Sequence, residues 1–319
     1  MSAILDKIKI GISSCLLGEE VRFNGGHKLS RLCVNTLADF FEYKPVCPEV
    51  GIGLGIPRKP IHLIGDAEAP RAVNTTDESI DVTDKLKDFA EQIIPSLNNI
   101  CGYIFIKGSP SCGLFRVKVY NKGNPNPVDS GRGIYAQAIT ESMPLLPVEE
   151  AGRLTDPVLR ENFVARVFAY HRWQKLLQQG LSAASILDFH VSYKYSLMAN
   201  DPQRYSTLGQ LLADAGKYDP DELGEKYFAE LMTALTKKAT RKSNTNVLTH
   251  LQGYLKKQLQ SKEKERLIEV IEQYRIGIIP LIVPVTLLQH HFNIHPNDYI
   301  SKQAFFDPYP QELSLRNAI

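Results

Sequence analysis

The chain has 319 residues with 37 Lys and Arg against 35 Asp and Glu, a formal net charge of +2, and five Cys. Its 43% hydrophobic and 23% charged residues are typical of a globular protein of about two domains and exclude a disordered or fibrous chain. No apolar run reaches the roughly 18 residues that a membrane span needs, and the first residues lack the pattern of a signal peptide. We therefore expect a cytoplasmic protein without membrane association, in which the Cys residues stay reduced.

The first 150 residues alternate short β-rich runs with helical patterns and with loops rich in Gly or Pro. Strands are predicted at 8–13, 43–46, 103–107 and 116–120, and helices at 29–40 and 82–97. Because strands that alternate with helices usually build a parallel sheet with helices on its faces, this half predicts a three-layer α/β domain with a mainly parallel sheet.

From residue 155 onward the pattern is almost entirely helical. Helices are predicted over about 157–179, 182–199, 204–215, 220–239, 245–260, 262–275 and 282–291. The segment 143–152, which contains two Pro, is expected to be the linker. We therefore predict an α/β N-terminal domain at residues 1–148 and an all-α C-terminal domain at residues 155–319.

Three of the Cys residues follow predicted strands of the first half. They are Cys15, Cys47 and Cys112, each in a loop that contains Gly or Pro. The carboxyl ends of the strands in an open α/β sheet meet at one crevice, so the three thiols are expected to face one site. They are interpreted as ligands of a metal or cluster, with a single catalytic thiol or three unrelated loop thiols as the alternatives. Cys33 and Cys101 lie in predicted core segments and are expected to pack as small apolar residues.

Three thiolates leave one coordination position open, which is typical of a catalytic rather than a structural centre. Glu49 lies two residues after Cys47 and is a candidate for proton transfer, with an ordinary surface carboxylate as the alternative. Ser109 and Ser111 flank Pro110 just before Cys112 and are candidates for holding a substrate or a water molecule.

The loops that carry these Cys resemble the signature of the thiouracil desulfidase family. The matching runs are Ser14-Cys15-Leu16-Leu17-Gly18, Lys44-Pro45-Val46-Cys47-Pro48-Glu49 and Lys107-Gly108-Ser109-Pro110-Ser111-Cys112-Gly113. The resemblance, over roughly residues 6–147, implies a 4Fe-4S cluster with three Cys ligands and one open iron. It implies catalytic roles for Glu49 and Ser109, and we assign Ser14 and Ser111 to substrate binding. The implied reaction is the hydrolytic conversion of C=S to C=O with release of hydrosulfide.

The helical half contains a basic stretch that the overall charge conceals. Residues 1–150 carry 16 basic and 18 acidic side chains, whereas residues 151–319 carry 21 and 17. No acidic residue occurs between Glu230 and Glu263, a stretch with seven Lys and Arg. This pattern predicts a polyanion-binding surface, with a solvated helix face as the alternative. The candidate RNA contacts are Lys237, Lys238, Arg241, Lys242, Lys256 and Lys257.

The helical half also resembles the helical domain that follows thiouracil desulfidase domains in some proteins. The matching runs include Phe189-His190-Val191-Ser192-Tyr193-Lys194-Tyr195 and Asn246-Val247-Leu248-Thr249-His250-Leu251. The two-domain combination resembles the tRNA 4-thiouridine desulfidases, which implies tRNA carrying 4-thiouridine as the substrate. The alternatives are a desulfidase of free thiouracil or thiouridine nucleotides and a non-catalytic RNA-binding protein with zinc on the three Cys. We expect a monomer or homodimer with no obligatory protein partner.

Overall fold

The computed structural model describes residues 7–121 and 126–319, and it divides the chain into two compact units. The first unit is Met1–Asp156 and the second is Pro157–Ile319. Each unit is described by itself.

The described part of the first unit has eight strands and three α-helices. The strands are β1 (Ile8–Ser13), β2 (Phe41–Val46), β3 (Ile61–Ile64), β4 (Arg71–Asn74), β5 (Tyr103–Phe105), β6 (Val117–Tyr120), β7 (Pro127–Gly131) and β8 (Val148–Glu150). The helices are α1 (Pro48–Gly51), α2 (Thr83–Ile93) and α3 (Ile134–Ser142). The predicted α/β class with a parallel sheet and helices is confirmed for this unit.

The parallel sheet has the strand order β2-β1-β5-β8. Strand β1 lies inside the sheet, and residues 10–13 are buried one after another without alternation, as expected for a strand covered on both faces. Gly11 lies where a Cβ atom would be only 2.2 Å from the ring of Tyr103 on β5. Only glycine therefore allows β1 to pack against the Tyr103 ring at this point. The two strands concerned, β1 and β5, lead to the loops of Cys15 and Cys112.

A second four-stranded sheet, in the order β4-β3-β6-β7, was not expected from the sequence. Its β3 and β6 are parallel, and each pairs with an antiparallel edge strand. The sequence prediction found only β6, in which Val117, Lys118 and Val119 alternate between apolar and polar, whereas the other three strands are similarly short and show no clear alternation.

Two predictions for the first unit are wrong. The segment 143–152 is not a linker, since β8 within it pairs with β5 along Tyr103–Phe105 and forms the edge of the parallel sheet. The segment 29–40 is not an α-helix but a π-helical turn at Leu32–Thr36 followed by a 3₁₀ turn at Leu37–Asp39. Val34, Asn35 and Thr36 have low helix propensity, which explains why a regular helix does not form there.

The second unit is helical, as predicted. Its helices are α4 (Pro157–Gln179), α5 (Ala183–Asn200), α6 (Pro202–Ala213), α7 (Pro220–Thr236), α8 (Arg241–Tyr254), α9 (Ser261–Arg275), α10 (Ile282–Ile294) and α11 (Asp298–Ser301). The largest difference from the prediction is α8, which begins at Arg241 because Thr240 and Ser243 form a capping box. Among the described residues, no helix combines the length and the hydropathy that a membrane-spanning segment requires.

Aromatic side chains fill one part of the helical core. The Trp173 ring stacks on Phe228 with centroids 5.1 Å apart, and Phe189 meets Trp173 edge-on at 5.1 Å. These contacts join α4, α5 and α7. His190 is also buried, and its ring stacks on Tyr205 of α6 at 5.6 Å. Burial is the main cause that lowers the pKa of His190 to about 4, with the Lys194 charge as a second cause, so the imidazole stays neutral at pH 7.

Candidate active site

One cavity in the first unit collects the residues that the sequence singled out. It has a volume of about 260 Å³ and lies where β1, β2 and β5 of the parallel sheet end. Its walls include all seven candidates, namely Ser14, Cys15, Cys47, Glu49, Ser109, Ser111 and Cys112. The expectation that three loops after parallel strands meet at one crevice is therefore confirmed.

The backbone of each Cys is held by the element that follows its strand. Cys15 lies in a 3₁₀ turn at Ser14–Leu17, and its carbonyl accepts hydrogen bonds from the amides of Gly18 and Lys28. Cys47 is the N-cap of α1, and its carbonyl accepts from Gly51. The loops of Cys15 and Cys47 are therefore each held by backbone hydrogen bonds to the Cys carbonyl.

The loop of Cys112 is fixed by the start of α3. The amides of Ile134 and Ala136 donate to the carbonyls of Pro110 and Ser111, and the amide of Gly133 donates to Gly113. A Cβ atom at Gly133 would lie 2.5 Å from the Ser111 carbonyl oxygen. Glycine at this position thus allows the helix to press directly against the loop.

The three thiols share one electrostatic environment. Burial raises the pKa of Cys15 to about 11, and the neighbouring Cys47 contributes to that rise. Burial also raises the pKa of Cys112 well above its ordinary value, with Cys47, Glu49 and Cys15 adding to the effect. Three thiolates in this cavity repel one another, so a bound cationic centre is required to hold them all in the deprotonated form.

The donor set fits a cluster that spreads its ligands over several metal atoms. Within the part of the chain that the structure describes, no group of three or more His, Cys, Asp and Glu could hold a metal ion. The three Cys nevertheless line one cavity. Each Cys ligand of a four-iron cluster binds a different iron atom, so thiols arranged around a cavity suit such a group.

Glu49 is engaged through both of its carboxylate oxygens. The Ser111 hydroxyl donates to Oε1 at 2.6 Å, and the Arg58 Nε and Nη2 groups each lie 2.9 Å from Oε2. The Glu49 side chain is 14% exposed and that of Arg58 only 5%. Glu49 is therefore a held carboxylate on the wall of the cavity, which contradicts the alternative of an ordinary surface residue.

Ser109 completes a hydrogen-bonded chain that ends at Glu49. Its Oγ accepts from the backbone amides of Ser111 and Cys112 and lies 2.9 Å from the Ser111 Oγ. Ser111 has a single hydroxyl hydrogen, and it is directed to Glu49. The Ser109 hydroxyl must then donate to Ser111, which gives a continuous path from Ser109 through Ser111 to Glu49.

The sequence prediction missed Arg58, whose guanidinium joins two loops around the cavity. Besides Glu49, it donates to the carbonyls of Val21 and Gly55, each at 2.9 Å. It also missed Phe23, a cavity-wall residue whose ring is 38% exposed. Neither residue belongs to a periodic pattern or lies beside a Cys in the sequence, so no signal in the sequence marked them.

Removing Arg58 is expected to destabilise the first unit through Glu49. We predict that Arg58→Met lowers the free energy of unfolding by about 3 kcal/mol, because a mostly buried carboxylate loses its cation. Urea unfolding of the full chain measures the loss, with Lys59→Met as the matched control because Lys59 is exposed. In a double-mutant cycle with Glu49→Gln, a coupling energy near zero would show that the pair does not act as one unit.

The remaining Cys residues lie outside the cavity walls. Cys33 is fully buried and Cys101 is 3% exposed, so the prediction that both pack in the core is confirmed. Burial raises the pKa of the Cys101 thiol to about 12, which leaves it protonated and unreactive.

The candidate RNA contacts of the second unit divide into two groups. All six are exposed, and among the described residues Lys238, Lys242, Lys256 and Lys257 form no ion pair. Lys237, in contrast, forms an ion pair with Asp201, its Nζ 2.6 Å from Oδ2. The Arg241 guanidinium lies 4.8 Å from the centre of the Tyr274 ring and donates to the Tyr274 carbonyl. Lys237 and Arg241 thus stabilise the helical unit. In the folded chain, Asp201 is an acidic neighbour of the stretch that has no acidic residue of its own.

Two family models match the chain. The model described as 2-thiouracil desulfurase covers residues 10–151, and a protein family of unknown function, DUF1722, covers residues 194–310. The uncharacterized protein YbgA of Escherichia coli (strain K12) is 30% identical over 159 residues, which are 50% of this chain and 94% of that protein. The uncharacterized protein YbbK of Bacillus subtilis (strain 168) is 33% identical over 108 residues, which are 32% of this chain and 71% of that protein.

A solved structure, the [4Fe-4S]-dependent thiouracil desulfidase TudS, is also similar, with 29% sequence identity and a TM-score of 0.39. The match covers 47% of this chain and 95% of that structure. The family model over residues 10–151 agrees with the family that the Cys motifs indicated. The chain therefore belongs to the 2-thiouracil desulfurase family through residues 10–151, and it carries a DUF1722 domain at residues 194–310.

Proposed function

We propose that the first unit is an iron–sulfur-dependent desulfidase that removes sulfur from a thiolated pyrimidine. One observation carries the proposal: in a chain of the 2-thiouracil desulfurase family, the three Cys and the Ser109–Ser111–Glu49 path line the same cavity. Thiol ligands and a proton-transfer path are the two components that sulfur removal by water needs.

Cys15, Cys47 and Cys112 are the residues that would hold a 4Fe-4S cluster in this cavity. No further Cys lines the cavity among the described residues, so one iron would have no Cys ligand. When bound, such a group supplies a thiophilic Lewis acid for the sulfur of the substrate. The alternative of a structural zinc is less well supported, because structural zinc normally takes four protein ligands that converge on one ion.

The residues of the chain itself would carry the water chemistry. Replacing C=S by C=O consumes one water and releases one hydrogen sulfide, so no electron donor is needed. Glu49 takes the proton of the attacking water, and Arg58 holds its carboxylate in place. The Ser109 and Ser111 hydroxyl groups relay that proton to Glu49, which returns it to the departing sulfur, and the exposed Phe23 ring offers a surface for the pyrimidine.

We further propose that the substrate is 4-thiouridine within tRNA, with free thiouracil or a thiouridine nucleotide as the alternative. The proposal is supported by the exposed lysines of the second unit, because phosphate contacts from Lys supply most of the affinity for nucleic acid. A thiolated base in folded RNA must leave its stack before its sulfur can enter a cavity of this kind.

Reversing the charge of the exposed lysines is expected to weaken tRNA binding. We predict that Lys238→Glu/Lys242→Glu and Lys256→Glu/Lys257→Glu each raise the KM for thiolated tRNA by about tenfold and flatten its salt dependence. The control is Lys175→Glu/Lys302→Glu, which reverses two exposed lysines outside the stretch. Equal losses in the control would mean that the basic stretch has no special role.

Parallel incubations identify the substrate. The protein, purified without oxygen, is mixed with thiolated tRNA or with free thiouracil, and the loss of the near-ultraviolet thiocarbonyl absorbance is followed. We expect a far higher kcat/KM for the tRNA. Turnover of the free base alone would support the alternative substrate. If neither substrate is turned over and metal analysis finds zinc in place of iron, the RNA-binding alternative is supported.

A further inference from the structure

A second cavity of the first unit shares a wall with the thiol cavity. It has a volume of about 610 Å³, and Lys107 lines both cavities. Three more cationic side chains line it, namely Arg116, Arg132 and Arg153. We call this cavity the basic groove.

Three Glu side chains line the basic groove beside its four cations, and among the described residues none of the three forms an ion pair with those cations. The Glu150 side chain is buried, and its Oε1 accepts from the backbone amides of Leu114 and Phe115. Glu141 accepts from the Gln137 amide, and Glu68 is exposed. Within residues 7–121 and 126–319, Lys107, Arg116 and Arg132 form no ion pair.

The groove also presents an aromatic ring on a constrained loop. Phe115 is 36% exposed, and the Arg153 guanidinium lies 4.8 Å from its ring centre. Arg153 is held in turn by Glu149 at 2.7 Å. Arg116 follows in the left-handed backbone conformation, with φ of 51°. A non-glycine residue in that conformation is uncommon, and here the Glu150 carboxylate fixes the two preceding amides.

We infer that the basic groove binds the strand of RNA next to the nucleotide that enters the thiol cavity. This inference rests on the proposed function and specifies where the substrate lies on the catalytic unit. Arg116 and Arg132 contact phosphates, and a base next to the thiolated one stacks on Phe115. A row of cations beside an exposed aromatic ring is the arrangement by which proteins bind single-stranded nucleic acid.

The position of the groove explains why a polynucleotide suits it better than a small anion. The cations line a cavity of about 610 Å³ and belong to separate segments, with Lys107 and Arg116 on either side of Cys112 in sequence and Arg132 before α3. Such a spread matches the repeated charges of a phosphate backbone. Since Lys107 lines both cavities, a strand in the groove passes beside the thiol cavity.

Two variants test the inference on the full chain loaded with its cluster. Arg116→Asn/Arg132→Gln removes two charges, and Asn tolerates the left-handed conformation at position 116. Phe115→Ala removes the stacking surface. The control is Lys85→Gln/Lys87→Gln, which removes two exposed charges on α2.

We expect the double variant to raise the KM for thiolated tRNA about tenfold. The slope of the logarithm of the tRNA association constant against the logarithm of the salt concentration should become shallower by about 1.5. Phe115→Ala is expected to raise that KM about tenfold as well. Turnover of free 4-thiouridine and the visible absorbance of the cluster should match the unchanged protein in every variant.

The inference would be overturned if the variants had the same KM and salt slope as the protein without substitutions, while that protein acts normally on tRNA. The proposed function would then remain intact. Loss of activity on free 4-thiouridine would also overturn the inference, because the residues would then support the thiol cavity itself. Failure of the unchanged protein to act on tRNA would contradict the proposed function, which separates the two outcomes.

Discussion

Replacing Glu49 by Gln is expected to lower kcat for desulfidation by about 10²–10⁴-fold, the usual contribution of a general base or acid. The amide has nearly the same shape as the carboxylate but cannot accept a proton from water. Its one carbonyl oxygen can still accept from Arg58, and its NH2 group can donate to the Ser111 oxygen, whose hydroxyl donates to the carboxylate in the unchanged protein. The variant therefore separates proton transfer from the packing of the cavity wall.

The loss should appear in kcat under saturating substrate, with the visible absorbance of the cluster unchanged. Glu42→Gln is the matched control, because Glu42 is an exposed carboxylate on β2, the strand that precedes Cys47. If Glu49→Gln retains more than half of the activity, Glu49 is not the proton-transfer group, and the Ser109–Ser111 path has no proton acceptor at its end.

Replacing any one of Cys15, Cys47 or Cys112 by Ser is expected to abolish both the brown colour of the purified protein and its activity. Serine is a poor replacement for a thiolate ligand of iron, and the cavity walls have no other Cys in the described residues to take its place. Each variant should fall to the background rate, and iron and acid-labile sulfide should fall with it.

Cys101→Ala is the control for these variants. Cys101 is buried in the same unit but does not line the cavity, so colour, iron content and activity should be retained. The expected cost is about 1 kcal/mol of stability from the lost packing of one sulfur atom. A Cys47→Ser protein that keeps both its iron and its activity would contradict the assignment of the three ligands.

The convergence of the three thiols could be predicted because it depends on a general property of parallel sheets. β2, β1 and β5 are neighbours in the sheet, so the loops that follow them start from one edge. The position of a Cys just after a buried strand is readable in the sequence. The same reasoning placed Glu49 correctly, since α1 begins directly after Cys47.

Contacts between residues distant in the sequence could not be predicted in this way. Arg58 reaches Glu49 through the irregular segment that leads to β3, and no periodicity indicates where its guanidinium lies. Lys237 is paired with Asp201, 36 residues earlier, so a count of charges along the sequence overstated the free positive charge. The three-residue strand β8 was mistaken for a linker because its pairing with β5 alone defines it.

The most direct test of the account is the balance of products from thiolated tRNA. Protein with its cluster is incubated without oxygen or added reductant, and sulfide, 4-thiouridine and uridine are measured together. The account predicts one sulfide and one uridine for each 4-thiouridine lost, with no reaction in the Cys47→Ser protein. Sulfide release that requires a reductant, or an unchanged content of 4-thiouridine in the tRNA, would contradict hydrolytic desulfidation at the thiol cavity.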